Sequence, residues 1–259
     1  MKILVASPVR CSEPWQTEAF KQCLNSLDNL EKPENAQVDR LFLLHNSPHL
    51  REIVQEGSIL GGNQYLADVT TPDQYKCDEN THDWKLENIL NVTKMRNDLL
   101  NFARAGGYDY YLMADSDLVL HPKTLVSLIE AGKDIIGECI WTRWTPDAIE
   151  APSAWDYDTY AFLGSPEERM NQWRTPGIYR IGMTGACLLM SKKVMDSRVN
   201  YDPIYNLSLW GEDRAFCVRA ACEGLEIWLS TMHQPVHLYR PSELSKFVES
   251  GGYAAAFKG

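Results

Sequence analysis

The stretch Tyr108-Asp109-Tyr110-Tyr111-Leu112-Met113-Ala114 runs straight into two carboxylates one residue apart, Asp115 and Asp117. A short run this apolar and aromatic suits a strand covered on both faces, as in parallel sheets wrapped by helices. Lys2 to Ala6 and Val38 to His45 read the same way. Helical periodicity separates them. Pro14 to Leu30 places Phe20, Leu24 and Leu27 together, and Val92 to Ala105 does so with Met95, Leu99, Leu100 and Ala103 before Gly106-Gly107 closes it. This alternation predicts an α/β fold: a Rossmann-like, mostly parallel central sheet flanked by helices.

Farther along, the pattern predicts a helix over Pro122 to Ala131 and a strand over Asp134 to Ile140. Tyr179 to Ser191 reads as a strand pair, followed by a short helix near Lys192 to Ser197, a helix over Glu212 to Glu223 and a strand over Leu225 to Leu229. Two segments resist this reading. Residues 58–84 are polar, with a strand candidate only at Tyr65 to Val69. Residues 141–177 lack a period but hold Trp141, Trp144, Trp155, Tyr157, Tyr160 and Trp173. A loop this long within a domain is functional or disordered, and its aromatic content argues against disorder.

Composition excludes several classes. A net charge of −10 without a dense Lys/Arg block argues against a nucleic-acid partner. The apolar run after Met1 ends at Ser7-Pro8, too short for a signal-peptide core or a membrane span, so a soluble cytoplasmic protein is expected. The seven cysteines are scattered without a CxxC pair, which points to small buried side chains in a reducing compartment and not to a disulfide framework or a structural zinc site. No GxGxxG and no P-loop follows the first strand.

Within this frame the acids stand out. On an extended backbone Asp115 and Asp117 project to the same side, and hard carboxylate oxygens there suit Mg²⁺ or Mn²⁺; the same residues also make a good turn before the next helix. Glu212-Asp213 opens a helix, where acids are favoured by the helix dipole and where one can also act as general base. His233 and His237 follow a predicted strand, and His121 lies near the acids; an imidazole from this set is a candidate metal ligand. Arg96, near a helix start, is placed to meet a phosphate. Pro8 and Arg10 lie in the loop after the first strand, at the ligand-binding edge of a parallel sheet.

In order and spacing, these segments resemble glycosyltransferases of the GT-A type, particularly the family 2-like group, over roughly residues 2–240. Asp115-Ser116-Asp117 looks like the Asp-x-Asp (DXD) motif, Arg96-Asn97 like the Arg-bearing helix before it, Trp210-Gly211-Glu212-Asp213 like the Gly-x-Glu-Asp motif, and His237 like the late histidine. The resemblance implies a single GT-A-like domain with an acceptor-side extension. Residues 1–120 would be the nucleotide-sugar half, 121–250 the acceptor and catalytic half, and 251–259 a flexible tail. It implies a UDP- or GDP-linked sugar donor, a hydroxyl acceptor of glycan or small-molecule type, and Mn²⁺ or Mg²⁺ held by Asp117, Asp115 and His237. Pro8, Arg10, Arg96 and Asp115 would bind the donor, and Trp210 and Gly211 the acceptor. The expected activity is hexosyltransferase-type. An inverting reaction with Asp213 as base and Glu212 positioning the acceptor is favoured over a retaining one.

Two alternatives share the fold. A sugar nucleotidyltransferase would carry a Gly-rich loop after the first strand, and Ser7 to Cys11 contains no glycine. A nucleotide- or glycan-binding protein without turnover would keep the same motifs.

Overall fold

The computed structural model describes residues 1–259 apart from 56–59, 73–74, 81, 83–84, 157–166, 208–210 and 258–259. Tyr157, Tyr160 and Trp210 therefore lie outside the described residues. In chain order the elements are β1 (Lys2–Val9), α1 (Pro14–Asp28), β2 (Gln37–His45), α2 (Leu50–Gln55), β3 (Gly61–Val69), α3 (Leu86–Ala105), β4 (Tyr110–Ala114), β5 (Leu118–Val119), α4 (Thr124–Glu130), β6 (Ile135–Glu138), β7 (Trp141–Thr142), β8 (Ala151–Pro152) and β9 (Ala154–Trp155). They continue with α5 (Glu167–Gln172), β10 (Ile178–Ile181), β11 (Met183–Thr184), β12 (Cys187–Ser191), α6 (Lys192–Met195), α7 (Glu212–Cys222), β13 (Ile227–Ser230), β14 (Val236–His237), α8 (Pro241–Glu249) and α9 (Gly252–Ala256).

Eight strands form one sheet in the order β10-β13-β6-β12-β4-β1-β2-β3. The pairs β1–β2, β1–β4, β2–β3 and β6–β13 are parallel, while β12 runs antiparallel between β4 and β6, and β10 runs antiparallel on β13. This is the mostly parallel α/β sheet that the apolar runs predicted. The central strands are apolar on both faces because each face carries its own core. Leu4, Ala6, Met113 and Leu188 join Leu99, Leu100 and Phe216 on one side; Ile3, Val5, Leu112 and Leu189 join Phe20, Leu27 and Leu125 on the other.

Several boundaries differ from expectation. The segment Tyr179 to Ser191 is not a hairpin: β10 and β12 are separated in the sheet by β13 and β6. Residues 141–155 contain short ribbons, β7 on β8 and β9 on β11. Residues 251–257, expected in a flexible tail, include α9, and Tyr253 and Phe257 pack against the small core of Ala19, Val119, Leu238, Leu244 and Phe247. Six of the seven cysteines are buried and Cys222 is exposed; none forms a disulfide among the described residues. No helix among the described residues is long and apolar enough to cross a membrane.

Candidate active site

The parallel strands β1 and β4 both point their C-terminal ends into a cavity of about 580 Å³. Pro8 to Cys11 from the end of β1 and Asp115 to Asp117 from the end of β4 line it, together with Arg96, Glu212, Asp213 and His237. A crevice outside the carboxyl ends of parallel strands is where such sheets bind ligands.

Asp115 is set by the sheet itself: its N–H donates to Ala186 O at 2.7 Å, and Ala114 pairs with Cys187 on β12. Asp117 is set by a second, smaller device. The two-residue strands β5 and β14 pair antiparallel with His237 opposite Leu118, and Leu238 N–H donates to Asp117 O at 2.9 Å. This brings His237 Nε2 to 3.3 Å from Asp117 Oδ2. Across the ring, His237 Nδ1 lies 2.7 Å from Thr142 Oγ1. Burial opposes the charge on both partners, yet their mutual attraction prevails, holding the Asp117 carboxyl below the ordinary carboxylate range and raising the His237 imidazole.

Arg96 comes from the buried face of α3 and is 4% exposed. The expectation that it faces a phosphate meets a different arrangement. Its Nη2 lies 2.9 Å from Asp115 Oδ1, its Nη1 lies 3.1 Å from Glu212 Oε1, and Nη1 also pairs closely with Asp213 Oδ1. One guanidinium thus joins the β4 acid to both acids of α7. Even so, burial pushes the Asp115 carboxyl up to about 6, and burial with the neighbouring Glu212 raises Asp213 against the pull of Arg96. Asn97, next to Arg96, turns the other way and anchors residues 201–202: its Oδ1 accepts from Tyr201 N–H at 2.8 Å and its Nδ2 donates to Asp202 at 2.8 Å.

The acids of α7 depend on two glycines. Gly211, at the helix N-cap, has φ 152°, a conformation that side-chain-bearing residues rarely adopt. Gly185, in the link between β11 and β12, faces Asp213 so closely that a Cβ there would fall on the Asp213 carboxylate. Trp210 lies outside the described residues.

The cavity has a roof that the sequence did not disclose. His82 stacks on Tyr239 with ring centroids 3.7 Å apart, and Tyr75 OH lies 3.1 Å from His82 Nδ1. Arg10, expected to touch the nucleotide, lies over the Tyr75 ring at 5.0 Å. Buried Arg240 ties the loops together, donating to Glu79 O at 2.9 Å and to Arg143 O, while Glu79 Oε2 accepts from Ser242 N–H at the start of α8. Of the other candidate ligands, His121 and His233 stack on each other at 4.3 Å and do not line the cavity.

Among the described residues, no three His, Cys, Asp or Glu side chains converge closely enough to cage a metal ion. What the cavity offers is narrower: Asp117 Oδ1 is buried with no hydrogen-bond partner, beside an imidazole whose far nitrogen is held by Thr142. That donor set suits Mg²⁺ or Mn²⁺ bound through one carboxylate, one imidazole and oxygens of a phosphorylated ligand. The four carboxylates Asp115, Asp117, Glu212 and Asp213 face Arg10, Arg96 and His237 across this cavity, so its charges nearly offset.

The sheet and the placement of this cavity define a fold of the GT-A type. The crystal structure of S. aureus TarS 1-349 matches it with a TM-score of 0.51 at 16% identity, over 90% of this chain and 60% of that one. TarS 1-349 in complex with UDP-GlcNAc gives 0.52 at 15% identity, over 90% and 58%. In sequence, the chain is 24% identical over 229 residues to the human inactive glycosyltransferase 25 family member 3, covering 82% of this chain and 36% of the human protein. It is 29% identical over 170 residues to the probable inactive glycosyltransferase 25 family member 3 of Bos taurus, covering 60% and 28%. The chain thus spans 28% to 36% of the length of these curated relatives. No family model matches it.

Proposed function

We propose that the chain is a metal-dependent glycosyltransferase of hexosyltransferase type, moving a sugar from a UDP- or GDP-linked donor to a hydroxyl acceptor. The observation that carries this reading is the convergence of Asp115, Asp117 and His237 with Glu212 and Asp213 in one cavity at the carboxyl ends of β1 and β4. TarS, which shares the fold, is known in complex with UDP and UDP-GlcNAc, and this supports a nucleotide-sugar donor.

In the proposed reaction the loop Pro8 to Arg10 and Asp115 hold the nucleoside. Asp117 and His237 would hold Mn²⁺ or Mg²⁺, which would supply neutralising charge to the diphosphate. Asp213 takes the acceptor hydroxyl proton as the oxygen bonds to the anomeric carbon, and the bond to diphosphate breaks with its electron pair leaving on the diphosphate. Arg96 orients Asp213 and Glu212 for that step, and an elevated carboxyl pKa suits a general base working near neutrality. A base that takes the acceptor hydroxyl proton supports an inverting course over a retaining one, which needs no such base.

A second reading, a nucleotide- or glycan-binding protein without turnover, is favoured by one observation: the proposed base is already paired with Arg96. The names of the mammalian relatives point the same way. Release of nucleoside diphosphate from a panel of UDP- and GDP-sugars with Mn²⁺ separates the two. Turnover abolished by Asp117→Ala supports the enzyme; no release from any donor, with nucleotide binding indifferent to EDTA, refutes it.

A further inference from the structure

The tryptophans of the 141–155 segment have no role in the reaction just described, yet two of them line the cavity. Trp144 follows β7, which holds Thr142 against His237, and its ring stands edge-on to Tyr239 with centroids 5.9 Å apart. It remains 49% exposed, unusual for so large an apolar side chain. Trp155 lies on β9, opposite Met183 and two positions in register from Gly185, the residue packed against Asp213. Trp144 and Trp155 thus line the same cavity as Asp117, His237, Glu212 and Asp213. Indole and carboxylate side chains bound one space.

That pairing of surfaces selects among hydroxyl-bearing acceptors. A pyranose ring offers an apolar C–H face to an indole and a rim of hydroxyls to carboxylate acceptors, so both surfaces are used. A lipid alcohol would leave its chain against Glu212 and Asp213, at the cost of desolvating them. A peptide that adds a strand to the sheet would do so at the edges β3 and β10, away from the cavity at the centre. We infer that Trp144 and Trp155 form an acceptor subsite for a pyranoside. This rests on the glycosyltransferase reading for its role, but the binding itself does not.

Saturation-transfer NMR on the full chain tests it, with methyl β-glucopyranoside, methyl β-galactopyranoside and methyl 2-acetamido-2-deoxy-β-glucopyranoside as probes, each with and without UDP. Glycerol and the peptide Gly-Ser-Gly serve as non-pyranose hydroxyls. Saturation of ring C–H protons is expected for at least one pyranoside and for neither control. Trp144→Ala and Trp155→Ala should each weaken binding about three- to tenfold, with Trp144→Phe restoring much of it. Trp144 is exposed enough to carry the test alone if Trp155→Ala does not fold. No transfer to any pyranoside, transfer unaffected by Trp144→Ala, or preferential transfer to the peptide overturns the inference. Parallel tubes with UDP or GDP, each with Mg²⁺, keep the two readings apart: nucleotide bound without pyranoside sinks only the subsite, and pyranoside bound with neither nucleotide binding sinks only the nucleotide-sugar donor.

Discussion

Replacing Gly185 by alanine should disable the site without dismantling it. The backbone of Gly185 lies outside the left-handed region, so alanine introduces no backbone strain. What it introduces is a methyl group where the Asp213 carboxylate now sits. Asp213 must then swing off Arg96, which keeps Asp115 and Glu212 as partners. Overpacking of this kind costs about 1–3 kcal/mol, a fall in Tm of about 3–10 °C for a chain of this size. The larger effect is expected in catalysis, where moving a reacting group by about 1 Å costs about a hundredfold. UDP affinity, measured by calorimetry, should fall much less than transfer does, because the Asp115 backbone is held by Ala186 and that of Asp117 by Leu238, although the Asp115 carboxylate shares Arg96 with Asp213. Transfer by Gly185→Ala/Asp213→Asn should match that of Asp213→Asn alone, since both changes remove one function. Transfer within threefold of wild type, or a loss of UDP affinity equal to the loss of transfer, would refute the argument.

Two further outcomes follow from groups outside the cavity. Glu138 is 1% exposed, and burial pushes its carboxyl up to about 7, above its ordinary value, against the hydrogen bond from Ser230 at 2.9 Å. A raised carboxyl favours the folded state most below about pH 4.5, and that contribution is lost as pH rises to about 7. Glu138→Gln should therefore flatten urea stability between pH 5 and 8 and gain on the order of 2–3 kcal/mol at pH 8; an unchanged pH slope would show that Glu138 does not titrate in that window. Arg240→Met removes the donor to the part-buried carbonyls of Glu79 and Arg143, at about 1 kcal/mol each. Hydrogen exchange should then accelerate at both 77–82 and 141–144, and acceleration in one loop alone would show that Arg240 does not couple them.

How much of this was legible in the sequence depends on the range over which each feature is encoded. The strand cores and α1, α3 and α7 are local, and apolar runs and helical spacing located them within a few residues, except that α3 begins at Leu86 and not at Val92. The link from Tyr179 to Ser191 misled because antiparallel β12 enters the sheet between β4 and β6, a choice made by long-range pairing that leaves no local mark. His237 was named by resemblance; nothing in its neighbours discloses that a two-residue strand pairs with one near residue 118. The roof formed by Tyr75, Glu79 and His82 depends on contacts more than 150 residues apart in sequence, His82 with Tyr239 and Glu79 with Ser242. Arg96 is the instructive case. It lies among Thr93, Leu99 and Leu100 on the buried face of α3, as the spacing Met95, Leu99, Leu100 and Ala103 already implied for that turn. A guanidinium on a buried face must find carboxylates within the fold, since an unpaired charge there is prohibitive. The helix pattern thus contained the reason why Arg96 meets Asp115, Glu212 and Asp213, and why any anion reaching this cavity competes with three carboxylates for it.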